Sequence, residues 1–139
     1  MKRHLLSISL FVSLNAFAAD PKPKETKPGF VLGGNPANGQ VTFKTYCNSC
    51  HGDTGAGDGP ASAALNPKPA NFTDAKHAAE VTDEYIYKMV KDGGAANGKS
   101  PLMVGWGPVL GDDAKVRDVA AYVRTLAKPA AAPKKPSKK

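Results

Sequence analysis

The sequence predicts an all-α protein. Two segments carry apolar residues at helical spacing behind good N-cap residues, and the stretches between them are broken by Pro and Gly. No segment shows the period-two alternation of a half-buried strand.

The first helix is expected from Pro36 to Ser49, with Asn35 as N-cap and Pro36 at the first helical position, where its missing N–H costs nothing. Gly39 inside it costs about 1 kcal/mol relative to Ala, so another backbone or ring is expected close by. Residues 52 to 73 read as a long loop with at most one short turn at Pro60 to Ala64, and loops of this length usually serve a function or wrap something. Thr82 caps a second helix, Asp83 to Asp92, with acids at its positive end and Gly93-Gly94 as its stop. Tyr85, Ile86, Met89 and Val90 form its apolar stripe. After an irregular stretch from Ala95 to Gly111, Asp112 or Asp113 opens a last helix to about Ala127, with Val116, Val119, Ala120, Val123 and Leu126 on its buried side.

Flanking segments have a different character. Met1, Lys2, Arg3 and His4 precede an apolar run from Leu5 to Leu14 that is short for a bilayer, and Ala16-Phe17-Ala18 supplies the small residues of a cleavage site. Residues 1–18 are expected to be a cleaved signal peptide, placing the mature chain in the periplasm; an uncleaved membrane anchor is the competing reading. Residues 19–34 are too rich in Pro and Lys to pack and form a linker, 35–127 form one folded domain, and 128–139 form a disordered Lys/Pro/Ala tail.

The net charge of +7 belongs to those flanks. Residues 30 to 127 hold 9 basic and 10 acidic side chains, while the tail adds five lysines and no acid. A structured nucleic-acid face, which needs clustered Lys and Arg, is therefore excluded. The tail suits loose contact with an anionic membrane or an acidic partner, or simply solvation. With aromatics at 7% and 26 residues that are Gly or Pro (14 and 12), a protein-only core is thin, and a large apolar cofactor would fill it.

Cys47-Asn48-Ser49-Cys50-His51 carries the chemistry. Two thiols three positions apart can each add across a haem vinyl group, and the imidazole that follows can rise beneath the iron as an axial ligand. A disulfide or a redox dithiol also uses this spacing, although a thioredoxin-like dithiol expects a βαβ context. A zinc site lacks ligands, since His77 is the remaining histidine after residue 51 and there is no third cysteine. For the opposite axial position Met103 stands in a Pro- and Gly-punctuated loop able to arch over a ring. Met89, His77 or an open position are the alternatives. Met89 fits core packing better, and His77 reads as a surface histidine near a helix start.

From Asn35 to Ala127, about two thirds of the chain, the sequence resembles class I cytochromes c. The resemblance rests on Cys47 to His51, the pattern Gly39-Gln40-Val41-Thr42-Phe43, Leu102-Met103 followed by Trp106-Gly107, and Ala121-Tyr122-Val123-Arg124-Thr125-Leu126. It implies three to five helices wrapped around one haem c, covalently bound through Cys47 and Cys50 and ligated by His51 and Met103. It also implies crossed first and last helices, with Gly39 against Tyr122. Val104-Gly105 stands where the family commonly has Pro after the ligand Met, which implies a more mobile loop and a weaker Met bond. A backbone carbonyl between residues 63 and 69 is expected to fix the His51 tautomer. Tyr46, Leu65, Phe72, Leu102, Val104 and Trp106 are the expected apolar wall. The implied role is a single-electron carrier between a redox protein donor and acceptor, not itself an enzyme. The alternatives are a haem subunit of a larger oxidoreductase or a five-coordinate small-ligand binder.

Overall fold

The computed structural model describes residues 30–127, so the expected signal peptide, most of the linker and the lysine tail lie outside the described residues. Helix α1 spans Pro36–Tyr46, α2 Asn48–His51, α3 Ala75–Glu80, α4 Asp83–Ala96, α5 Gly107–Leu110 and α6 Asp113–Leu126, with a 3-10 turn at Ser62–Ala64. No strand occurs among the described residues. No helix there is long and apolar enough to cross a membrane.

The caps explain where the helices begin. Asn35, Asp74, Thr82 and Asp112 each accept a backbone N–H in the first turn of α1, α3, α4 and α6, at 2.9 to 3.1 Å, satisfying donors that a helix start leaves unpaired. The first helix is shorter than its pattern predicts. Cys47 leaves helical geometry at φ −111°, and a separate turn, α2, carries Asn48 to His51. Thr42 and Thr45 bond back to the carbonyls of Asn38 and Val41, a pairing that bends helices, and the break follows one turn later.

Helix α1 packs most extensively on α6, and α4 packs on α6 from another side. Phe43, Val116, Val119 and Ala120 are almost wholly buried where they meet, with Ile86 and Val90 of α4 added. A Cβ on Gly39 would run into the Asp118 carbonyl and lie 2.9 Å from the Tyr122 Cβ, so the expected Gly39–Tyr122 crossing is present. The Asn35 amide donates to Asp118 at 2.6 Å, and Arg117 donates to the carbonyls of Val31 and Leu32 at 2.8 and 3.2 Å. These bonds lash the start of the domain to α6. Arg124, near the C-terminal end of α6, donates to Asp83 and to the carbonyls of Ala78 and Val81 at 2.8 to 2.9 Å, fixing the α3–α4 joint.

Two short helices escaped the sequence reading. Asp74 caps α3, a single Ala-rich turn and a half without a buried residue, and α5 is a four-residue turn with Pro108 in its first turn and Gly111 closing it in left-handed geometry.

A cofactor-sized cavity

A cavity of about 580 Å³ lies between α2, α4, α6 and the two long loops, within the range of roughly 300–1,000 Å³ typical of small-molecule and cofactor sites. Its wall is mainly apolar, including Leu65, Phe72, Val81, Ile86 and Leu102. Cys50 and His51 open into it from α2, and Met103 from the later loop. Cys47 does not line it; it is half-buried and packs against the core cluster.

His51 is nearly buried, at 8% exposure, and its Nδ1 lies 3.2 Å from the Ala70 carbonyl. A carbonyl only accepts, so Nδ1 carries the proton and Nε2 keeps its lone pair for a metal. The orienting carbonyl is therefore Ala70, one residue beyond the expected window of 63 to 69. Phe72 stacks on the imidazole at 4.5 Å and 19°, two residues past that carbonyl, so one strand of loop fixes both the ring's tautomer and its plane. Burial lowers the His51 pKa, with the Ala70 bond acting the other way. The Cys47 thiol is pushed up to about 12, first by burial and then by the neighbouring Cys50.

Met103 is held by its backbone. Its carbonyl accepts the Gly94 amide at 2.7 Å, and three residues on the Trp106 amide donates to Val90 at 2.8 Å. Gly93 makes this close approach geometrically accessible. Its φ of 78° ends the regular part of α4, and a Cβ there would lie 2.5 Å from the Gly105 nitrogen and 2.7 Å from the Met103 carbonyl oxygen. Asn97 closes the turn by donating its side-chain amide to the Gly93 carbonyl at 2.7 Å and to that of Lys88 at 3.2 Å.

Several sequence expectations need correction. Tyr46 and Trp106 do not line the cavity; they pair with each other, ring centroids 5.2 Å apart, and Tyr46 is 40% exposed. Val104 points outward at 53% exposure. His77 is not a plain surface residue, because α3 turns it onto the cavity wall beside Phe72, and Met89 also reaches the cavity. Sequence reasoning missed Lys68, Lys99 and Arg124 at this cavity. Lys99 had one legible signal: it lies four residues before Met103 in the same loop.

The family model described as cytochrome c oxidase, cbb3-type, subunit III, matches residues 34–123. The chain belongs to this family of c-type cytochromes. It is a monohaem, class I-like cytochrome domain of the all-α cytochrome c fold, and such a domain implies haem c. Among solved structures the cytochrome is similar to a chain of the Kuenenia stuttgartiensis reducing HAO-like protein complex Kustc0457/Kustc0458, at 26% identity and a TM-score of 0.52. The match covers 67% of this chain and 43% of that one, so the cytochrome spans less than half of its structural relative. No curated protein matches the sequence.

Proposed function

We propose that this cytochrome passes single electrons through one haem c joined by thioether bonds to Cys47 and Cys50, with His51 and Met103 as axial ligands. The carrying observation is His51: its Nδ1 proton is committed to the Ala70 carbonyl, leaving Nε2 as a ligating lone pair inside a cavity that Cys50 and Met103 also line. The bound group would supply a one-electron ferric/ferrous couple. His51 and Met103 would both hold the iron before and after electron transfer, so little of the protein would rearrange, and a thioether ligand would raise the potential relative to a second imidazole. The apolar wall does the same by disfavouring the more charged ferric state. A small, transient interface with a donor and an acceptor would form at the haem edge beside Cys47 and Cys50.

In this reading residues 1–18 direct export to the periplasm, 19–29 of the expected linker keep that role, 30–127 are the haem domain, because Leu32 is buried in the core and Val31 and Leu32 accept from Arg117, and 128–139 are a solvated basic tail. A second reading, a haem subunit within a larger oxidoreductase, is favoured by the family's subunit description and by the structural relative's place in a two-component complex. Co-purification at low salt with and without residues 128–139 separates a shuttle from a subunit.

A pyridine haemochrome assay and the intact mass of protein from a haem-maturation-competent host test the proposal. One haem per chain, retained under denaturation, is expected. A colourless product of apoprotein mass would end the electron-transfer reading. A high-spin ferric spectrum in the wild type would instead favour an open sixth position and small-ligand binding.

A further inference from the structure

A tetrapyrrole with two carboxylate arms cannot be seated by apolar walls alone, since burying an anion without a partner is costly. Three cationic side chains of fixed positive charge line the cavity: Lys68, Lys99 and Arg124. Two are committed elsewhere. Arg124 spends its donors on Asp83, Ala78 and Val81, and the Lys68 ammonium donates to the carbonyls of Ser62 and Ala63 at 2.8 and 3.3 Å. Among the described residues the Lys99 ammonium has no hydrogen-bond or ion-pair partner.

Lys99 also stands at a junction. A smaller, more open hollow beside the main cavity is lined by His77, Glu80, Val81, Thr82, Tyr85 and Lys99. Four of these, His77, Val81, Tyr85 and Lys99, line the main cavity as well. The two spaces therefore share a corner carrying an ammonium, an imidazole and a phenol. Three side-chain donors meet at this corner, which continues into the smaller and more open hollow. The imidazole of His77 has no hydrogen-bond partner among the described residues; its one ring neighbour is Phe72 at 6.5 Å.

We propose that Lys99, with His77 and Tyr85 beside it, is the carboxylate seat of the site and binds a haem propionate. The proposal rests on the haem reading above and gives the group its orientation: the vinyl edge toward Cys47 and Cys50, a carboxylate arm toward the corner between α3 and the Met103 loop. A charge-assisted bond from Lys99 to the carboxylate holds the anion and offsets its field at the iron. Glu80 faces the smaller hollow only and acts against it as a like charge.

The signs follow. Removing the Lys99 charge stabilises the ferric form and lowers the midpoint potential, whereas removing the Glu80 charge raises it. At the screening of a solvent-facing corner, Lys99→Gln is expected to change the ferric-to-ferrous ratio at fixed ambient potential by roughly threefold, equivalent to ~30 mV for one electron. Glu80→Gln shifts it the opposite way by less. Lys99→Arg retains the wild-type value, and Lys115→Gln, a like loss of charge at an exposed position of α6 outside both spaces, moves it little.

The experiment is spectroelectrochemical titration of the four variants and the wild type as holoproteins, with resonance Raman spectra of the propionate bending modes. Haem content is measured first; a wild type without haem ends the functional reading and is told apart by its lack of colour. With haem present, a Lys99→Gln potential equal to that of Lys115→Gln, or an unshifted propionate mode, overturns the seat. A lowered potential, a shifted mode and recovery in Lys99→Arg establish it. If Lys99→Gln loads poorly, the opposite shift in Glu80→Gln and retention by Lys99→Arg decide the matter; no shift in Glu80→Gln with a wild-type Raman mode in Lys99→Arg and in partly loaded Lys99→Gln refutes it.

Discussion

Gly39→Ala tests how closely α1 and α6 cross just before the Cys47–His51 turn. Helix propensity alone favours the change, since Ala in a helix interior gains about 1 kcal/mol over Gly. Packing opposes it. The new methyl would run into the Asp118 carbonyl and lie 2.9 Å from the Tyr122 Cβ, where carbon atoms prefer about 3.5–4.0 Å. The obstacle is main chain of α6, which has no rotamer to swing away, so the helices must part by about 1 Å, enough to forfeit a quarter to a half of the dispersion between facing atoms. Phe43, Val119, Ala120 and Tyr122 meet at this crossing, all 8% exposed or less. Overpacking a core costs typically about 1–3 kcal/mol, and a backbone obstacle puts this case at or beyond the upper end. Net of propensity, Gly39→Ala is expected to destabilise by about 2 kcal/mol, which lowers the melting temperature by roughly 8–16 °C in a domain of this size. Thermal unfolding of the holoprotein by circular dichroism reads this directly. Asn38→Ala, at the exposed neighbouring position, isolates propensity and should be neutral to slightly stabilising. A melting temperature at or above wild type in Gly39→Ala would refute the close crossing.

The proposed ligands and their supports make further predictions. Met103→Ala should abolish the weak red-end thioether-to-ferric-iron band and lower the midpoint potential, while Met89→Leu keeps both; the converse pattern would move the ligand to Met89. Asn97→Ala should leave the band present at low temperature but lose it on heating well before global unfolding, because the bonds from Asn97 to Gly93 and Lys88 no longer pin the turn on which Met103 rests. Loss of the band and of ellipticity at the same temperature would show that Asn97 supports only the fold. In the haem-free protein, where His51 carries no metal, falling pH should destabilise the domain from about 6.5 downward: the unfolded His51 takes a proton there, the buried one resists it, and the stability present above that pH is lost as it falls. Denaturant midpoints that are unchanged between pH 7.5 and 5.5 would contradict this.

What could be read in advance follows from which interactions are local. The caps at Asn35, Thr82 and Asp112, the stop at Gly93 and the buried side of α6 are set by residues within a turn of one another, and each lies where its pattern placed it. The Cys-x-x-Cys-His run is likewise local. The apolar wall was less legible. Tyr46 and Trp106 are large and close in sequence to Cys47 and Met103, yet they spend their surface on each other, and hydrophobicity alone does not say which neighbour a ring will choose. The Ala70 carbonyl was missed by one residue because a main-chain acceptor has no side-chain signature. His77 was misread because α3, a short helix without a buried residue, is too weak a pattern to predict, and it is this helix that turns the imidazole inward.

The two halves of the site are held by different physics, and that difference bears on how the protein can fail. His51 follows α1 within five residues, so its position depends on the packed α1–α6 crossing and on the loop that brings Ala70 and Phe72 against it. Met103 comes 52 residues later and depends on a few backbone hydrogen bonds across glycines to the end of α4. Stability in proteins is not uniform, and a segment held by few buried apolar contacts opens at lower cost than a packed core. The Met103 side should therefore yield first. Val104-Gly105 after the methionine fits that arrangement: Gly105 lets the loop backbone press against Asp92, and a side chain there would prevent it. Closeness of backbones at 93 and 105 thus supplies restraint that Pro after the methionine commonly supplies in the family. It follows that Gly105→Ala should weaken the thioether band more than it lowers the melting temperature, whereas Gly39→Ala should do the reverse. Measuring both quantities on both variants separates the two supports, and equal ranking of the variants in the two assays would show that the site opens as a single unit.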